Sequence, residues 1–159
     1  MDVRNLLSPE RIVAAASARS RKHALEMIGE LLARASNGQL SATEAFDAMF
    51  ARERLGCTGL GNGVAMPHGR VDGLDGPVAA FMRLSDPVEF DTPDGAPVDL
   101  VFALLVPSDR EACQSEELAE LSRLFADREF RRLLRVAGSA RGLLELFPGP
   151  EGAASAPPG

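Results

Sequence analysis

Tryptophan and tyrosine are absent from this 159-residue chain, and cysteine and histidine occur only twice each. Each scarcity removes a class of function. With a net charge of −6 and phenylalanine as the aromatic supply, the chain lacks the basic face and the stacking platforms that nucleic acids require. Cys57 and Cys113 are too few for a disulfide framework or a four-ligand zinc site, and they read as two reduced thiols. Two histidines and two distant cysteines offer no metal site, so neither metal nor other cofactor is expected. No apolar run is long enough to span a bilayer. The opening "MDVRNLLSPERIV" has an early acid and no long apolar core, unlike a signal peptide. These absences point to a cytoplasmic protein whose partners bring positive charge.

What is present is ordinary for a globular domain: 45% apolar and 25% charged residues, at a length that buries about two-thirds of the unfolded surface. Residues 3–147 are expected to form one domain. The tail "PGPEGAASAPPG", 148–159, is too poor in large apolar groups to pack and is expected to be disordered. Ala24, Leu25, Ile28, Leu31, Leu32 and Ala35 fall on one helical face that stops at Asn37-Gly38. A second helix opens with Ser41 and Glu44 as a capping box, its stripe being Ala45, Phe46, Met49 and Phe50. It ends in "RERLG", with Arg52 and Glu53 on the last turn. Then the period changes. "VAAFMRL" (78–84) and "VDLVFALLV" (98–106) are short continuous apolar runs, which read as buried strands. Helical spacing returns with Leu118, Leu121, Leu124 and Phe125, with Phe130, Leu133 and Leu134, and with Leu143, Leu144 and Leu146. Helices bracketing strands imply a sheet covered on both faces. "RIVAAAS" at 11–17 is ambiguous, since alanine favours helix and the Ile-Val pair favours strand.

The unusual stretch is "CTGLGNGVAMPHGR", 57–70. Its alternating glycines, Gly59, Gly61 and Gly63, let backbone N–H groups converge and a ligand approach closely. The spacing is not a dinucleotide fingerprint, Pro67 stands where the following helix would run, and no Gly-Lys-Ser/Thr is present. Pro67 fixes its own φ and pushes Met66 towards extended geometry, so His68 sits on a stiff stub with Gly69 beside it. A rigid imidazole in an amide-rich place suits a nucleophile that receives an anionic group. A packed or solvated histidine is the bland alternative.

"RERLGCTGLGNGVAMPHGR" resembles the phosphorylation motif of type-2 enzyme IIA domains of the bacterial phosphotransferase system, above all the nitrogen-regulatory branch. "LLSPERIV", "PVDLVFALLVP" and "LFADREFRRLL" extend the resemblance over nearly the whole chain. It implies an α+β fold, a three-layer α/β/α sandwich with a mixed sheet, in which "RIVAAAS" is a strand. It also implies that His68 takes a phosphoryl group from the phosphohistidine of a small phosphocarrier protein. The protein would then report to regulatory targets such as transporters or kinases, acting as a carrier rather than a turnover enzyme. Arg52 matches the arginine kept near that histidine, where a guanidinium steadies the highly charged transfer state. A helix-end arginine favoured by the dipole is the alternative.

The resemblance also makes Gly61 and Gly63 hosts for phosphoryl oxygens. Thr58 either donates a hydroxyl bond to the phosphoryl group or closes a turn, and Arg70 meets the carrier, the phosphate or only solvent. The departure is Gln114, where many members place a second histidine. Its amide can bond a phosphoryl oxygen or the ring of His68 but carries no proton or charge. His23 reads as solvated. Two other classes remain open: a docking module that keeps the fold without phosphorylation, and a Cys113 nucleophile with His68 as base, which lacks any orienting Asn or Asp.

Overall fold

The computed structural model describes residues 3–55, 59–90, 92–109 and 116–149. A strand that is apolar on both faces belongs in the middle of a covered sheet, and β6 (Val98–Pro107) takes that place. On one side β5 (Val78–Val88) runs antiparallel to it, and β1 (Ile12–Ala16) adds to β5 in parallel. On the other side two short strands share β6, both parallel to it. β3 (Val64–Ala65) lies beside Leu100 and Val101, and β4 (His68–Val71) beside Leu104 to Pro107. β2 (Gly59–Gly61) pairs antiparallel with β3, which makes a six-stranded mixed sheet among the described residues.

Side chains of β5 and β6 alternate between two cores. Ala80, Met82, Val101, Ala103 and Leu105 face α2 (Arg21–Ala35) and α3 (Ala42–Leu55). Phe81, Leu100, Phe102 and Leu104 face α1 (Val3–Leu6), α4 (Glu116–Ala126), α5 (Arg128–Val136) and α6 (Ala140–Leu146). The expected three-layer α+β sandwich is therefore present. The faces differ in grain. Small residues Ala65, Ala80 and Ala103 line the first, whereas Phe81 and Phe102 meet Phe125 and Phe147 at ring separations of 5.5–6.3 Å on the second. "RIVAAAS" resolves as β1, with Ile12 beside Phe81 and Ala16 beside Leu84. Pairing and burial overrode the helix preference of its alanines.

Local signals mostly hold. In the capping box the Ser41 N–H donates to Glu44 Oε1 at 2.9 Å, and the Glu44 N–H donates to Ser41 Oγ at 3.1 Å. Two readings need correction. Phe50 is 37% exposed and stacks on Phe46 at 5.4 Å, because Ala45 and Met49 occupy the buried line of α3 and Phe46 and Ala48 pack partly buried beside them. His23 is half-buried rather than freely solvated: its Nδ1 accepts from the Arg19 N–H at 3.0 Å while its own N–H is capped by Ser20 Oγ. At the C-terminal end the Arg4 N–H donates to the Pro148 carbonyl at 3.1 Å. Residues 150–159 of the expected tail lie outside the described residues. No described helix is long and apolar enough to cross a membrane.

Candidate functional site

The glycine run is a hairpin and not an open loop. β2 turns into β3 through Gly61, Asn62 and Gly63 at φ of 86°, 59° and 80°. This left-handed region is open to glycine and tolerated by asparagine. Charged groups clamp the turn. Asp94 accepts from the Asn62 N–H at 2.8 Å and from the Ala96 N–H at 3.1 Å, and these bonds hold its carboxyl below the usual range. Arg135 of α5 donates to both Asp99 oxygens, at 3.0 and 2.9 Å, and to the Asn62 carbonyl at 2.6 Å. The space a Cβ would need at Gly61 is bounded by Asp94, and at Gly63 by Arg135 and Asp99.

Past the hairpin the chain runs down the edge of β6. The Leu104 N–H donates to the Pro67 carbonyl at 3.0 Å, and His68 starts β4 in register with Leu104. Only 6% of His68 is exposed. Its Nδ1 lies 2.8 Å from the Met66 carbonyl, which can only accept, so Nδ1 carries the proton and Nε2 the free lone pair. Nε2 is buried with no hydrogen-bond partner among the described residues. Burial pushes the His68 pKa below its ordinary value, and the nearby Arg52 charge pushes the same way against the Met66 bond. The result is a neutral, oriented imidazole with one nitrogen in reserve.

Gly69 explains how α3 brings Arg52 here. A Cβ at Gly69 would sit 3.0 Å from the Ala48 carbonyl oxygen and 3.2 Å from its carbon. Its absence lets β4 approach the α3 backbone, and Arg52 follows Ala48 by one helical turn. Behind it the largely buried Glu53 pairs with Arg21 of α2 at 3.6 Å, tying the end of α3 to its neighbour.

Of the residues singled out by sequence, His68 and Arg52 come together. Gly61 and Gly63 lie in the hairpin turn, whose Gly63 carbonyl accepts from Asp99 and Leu100, whereas His68 stands beside Leu104. At ~3.3 Å per residue that separation along β6 is about 13–16 Å. Arg70 is exposed on β4. Thr58 and Gln114, together with Cys57 and Cys113, lie outside the described residues. Sequence reasoning missed the Met66 carbonyl and the acids and arginine of the clamp. The first is a backbone atom that residue identity does not reveal, and the second had no short-range signal.

A mixed sheet between helical layers, with a histidine held by its own backbone at the sheet edge, defines an enzyme IIA-type domain. The family model "Phosphoenolpyruvate-dependent sugar phosphotransferase system, EIIA 2" matches residues 5–148, and the chain belongs to that family. It is 39% identical over 141 residues to a "Nitrogen regulatory protein" of Pseudomonas aeruginosa, covering 89% of this chain and 91% of that one. A protein of the same description from Klebsiella oxytoca is 39% identical over 149 residues, covering 92% and 90%. The crystal structure of nitrogen regulatory protein IIA-Ntr from Neisseria meningitidis superposes with a TM-score of 0.80 at 38% identity, covering 91% of this chain and 97% of that one.

Proposed function

We propose that this chain is a phosphoryl-accepting regulatory protein of the nitrogen-related phosphotransferase system, acting in the cytoplasm, with His68 Nε2 as acceptor. The observation that carries the reading is the state of the ring. Nδ1–H is committed to the Met66 carbonyl, Nε2 has no partner among the described residues, and Arg52 is close enough to depress the pKa. In the transfer, the bond between phosphorus and a donor phosphohistidine breaks as a bond to Nε2 forms. The donor ring, protonated on its other nitrogen while phosphorylated, leaves as neutral imidazole; the Nδ1 proton stays on His68, so the positive charge passes to the phosphorylated His68 ring. The loose transfer state spreads charge over the phosphoryl oxygens, which the Arg52 guanidinium offsets without a metal. Because Nε2 is buried, docking of the donor must bring it into reach. Thr58 and Gln114 complete the proposed oxygen-binding set.

The natural donor is a histidine-containing phosphocarrier protein, and the phosphorylation state reports to transporters or kinases. Gln114 favours one second reading, a docking module of the same fold without phosphorylation, since an amide supplies no second imidazole. Incubation with phosphorylated carrier and intact-mass measurement at alkaline pH separates the two. The proposal expects one added phosphoryl group on wild type and on His23→Ala and none on His68→Ala. Absence of label on wild type leaves the docking module, and label on His68→Ala removes His68 as acceptor.

A further inference from the structure

The chain carries 23 acidic against 17 basic residues, yet one helix gathers arginines on a single stripe. Arg128, Arg131, Arg132 and Arg135 of α5 stand at i, i+3, i+4 and i+7, and all of them line one open groove of about 640 Å³. The opposite wall is the Asn62–Gly63 turn and the 94–99 segment, whose acids are Asp94 and Asp99. Both acids are already engaged, Asp94 by backbone amides and Asp99 by Arg135. The arginines are held but not used up. Arg131 is buried, with Nη1 on the Phe125 carbonyl, so Arg128, Arg132 and Arg135 are the exposed members of the stripe; Arg135 uses Nε and Nη2 of its five donors. Arg132 shares an exposed pair with Glu129, a weak and exchangeable contact. The Arg128 side chain makes no hydrogen bond or ion pair among the described residues.

The helix itself is fixed. Arg83 donates to the carbonyls of Leu134 and Ala137 at its end and to Ala14 of β1. A second concavity, carrying Arg19 and Arg21, adjoins the groove at Pro87.

We propose that this groove docks an acidic, partly apolar segment of a protein partner, independently of His68. Charge complementarity selects the sign. The interleaved Pro87, Pro97 and Val136, the last 66% exposed, select a peptide over a free phosphate, which has no use for apolar walls. The stripe is about 10 Å long and spans three or four residues of extended chain. His68 lies farther along β6, beside Leu104, and does not line this groove. The inference does not depend on His68 being phosphorylated.

The test is fluorescence anisotropy with a labelled peptide of alternating Glu and Leu, and with its Lys-for-Glu counterpart, on the full chain at two salt concentrations. The expected result is binding of the acidic peptide alone, weakening with salt. It should weaken by about tenfold or more in Arg128→Glu/Arg132→Glu with unchanged circular dichroism, and be retained in His68→Ala. Amide shifts in the α5 and 94–99 segments should accompany it. Equal affinity in the double variant, equal binding of the Lys peptide, or no acidic-peptide binding overturns the proposal. So does displacement by millimolar inorganic phosphate, which would mark a simple anion site, or arginine-dependent binding to phosphatidylglycerol vesicles without peptide binding, which would mark a membrane surface.

Discussion

The two halves of the 59–69 stretch hold their shape by opposite means. The hairpin half is clamped by charge, through Asp94, Asp99 and Arg135 around a turn with three consecutive positive φ values. The histidine half is fixed by backbone and apolar contact, with Pro67 bonded to Leu104, His68 to Met66 and Gly69 pressed on Ala48. Glycine serves both halves for different reasons. Gly61 and Gly63 reach a conformation, whereas Gly69 permits an approach. The proposed chemistry sits in the half without charged clamps. There the His68 Nε2, buried without a partner among the described residues, lies within reach of the Arg52 charge, in a low-dielectric place where each would count for more.

Arg52→Ala should have the largest effect, slowing phosphoryl acceptance about 10²–10³-fold, or roughly 3–4 kcal/mol, with circular dichroism unchanged. An unaltered transfer rate would reduce Arg52 to a helix-end charge. Gly69→Ala comes next. The added Cβ meets the Ala48 backbone at 3.0 Å, so denaturant unfolding should lose about 1–3 kcal/mol. The folded fraction should also transfer more slowly, because β4 and Arg52 move apart. Loss of stability at full transfer rate would uncouple the approach from the chemistry.

Gly63→Ala sharpens the contrast. A left-handed alanine costs about 1–2 kcal/mol and crowds Arg135, but the rate at His68 should not change in the folded protein. A slowed rate would assign the hairpin glycines a part in phosphoryl binding.

The smallest effect concerns pH. Burial lowers the folded-state pKa of His68 from 6.5, so the unfolded chain takes up this proton first as pH falls. Stability from the neutral ring is complete above about 6.5 and declines as pH drops towards the folded-state value. Chemical denaturation between pH 7.5 and 5 should show a decline in wild type that is shallower in His68→Gln. Parallel slopes would mean that His68 is not buried neutral.

Much of this was legible in sequence because it is local. The capping box at Ser41 and Glu44, the buried face of α2 and the two long strands each follow from spacing within a dozen residues. β1 was not legible from its own residues, since "RIVAAAS" becomes a strand only through pairing with Phe81 and Met82, far along the chain. The hairpin was hidden for the same reason: Arg135 and Asp99 hold Asn62 and Gly63 from distant positions. Within the candidate site, the proline and histidine signalled a rigid imidazole, but which nitrogen is committed depended on the Met66 carbonyl, a backbone atom that residue identity does not reveal.

That commitment is the central claim, and the regiochemistry of the phosphohistidine tests it. Phosphorylated, ¹⁵N-histidine-labelled protein examined by phosphorus–nitrogen correlated NMR should show phosphorus bonded to His68 Nε2, with the Nδ1 proton retained in its bond to Met66. Phosphorus on His68 Nδ1, or on His23, would contradict the account.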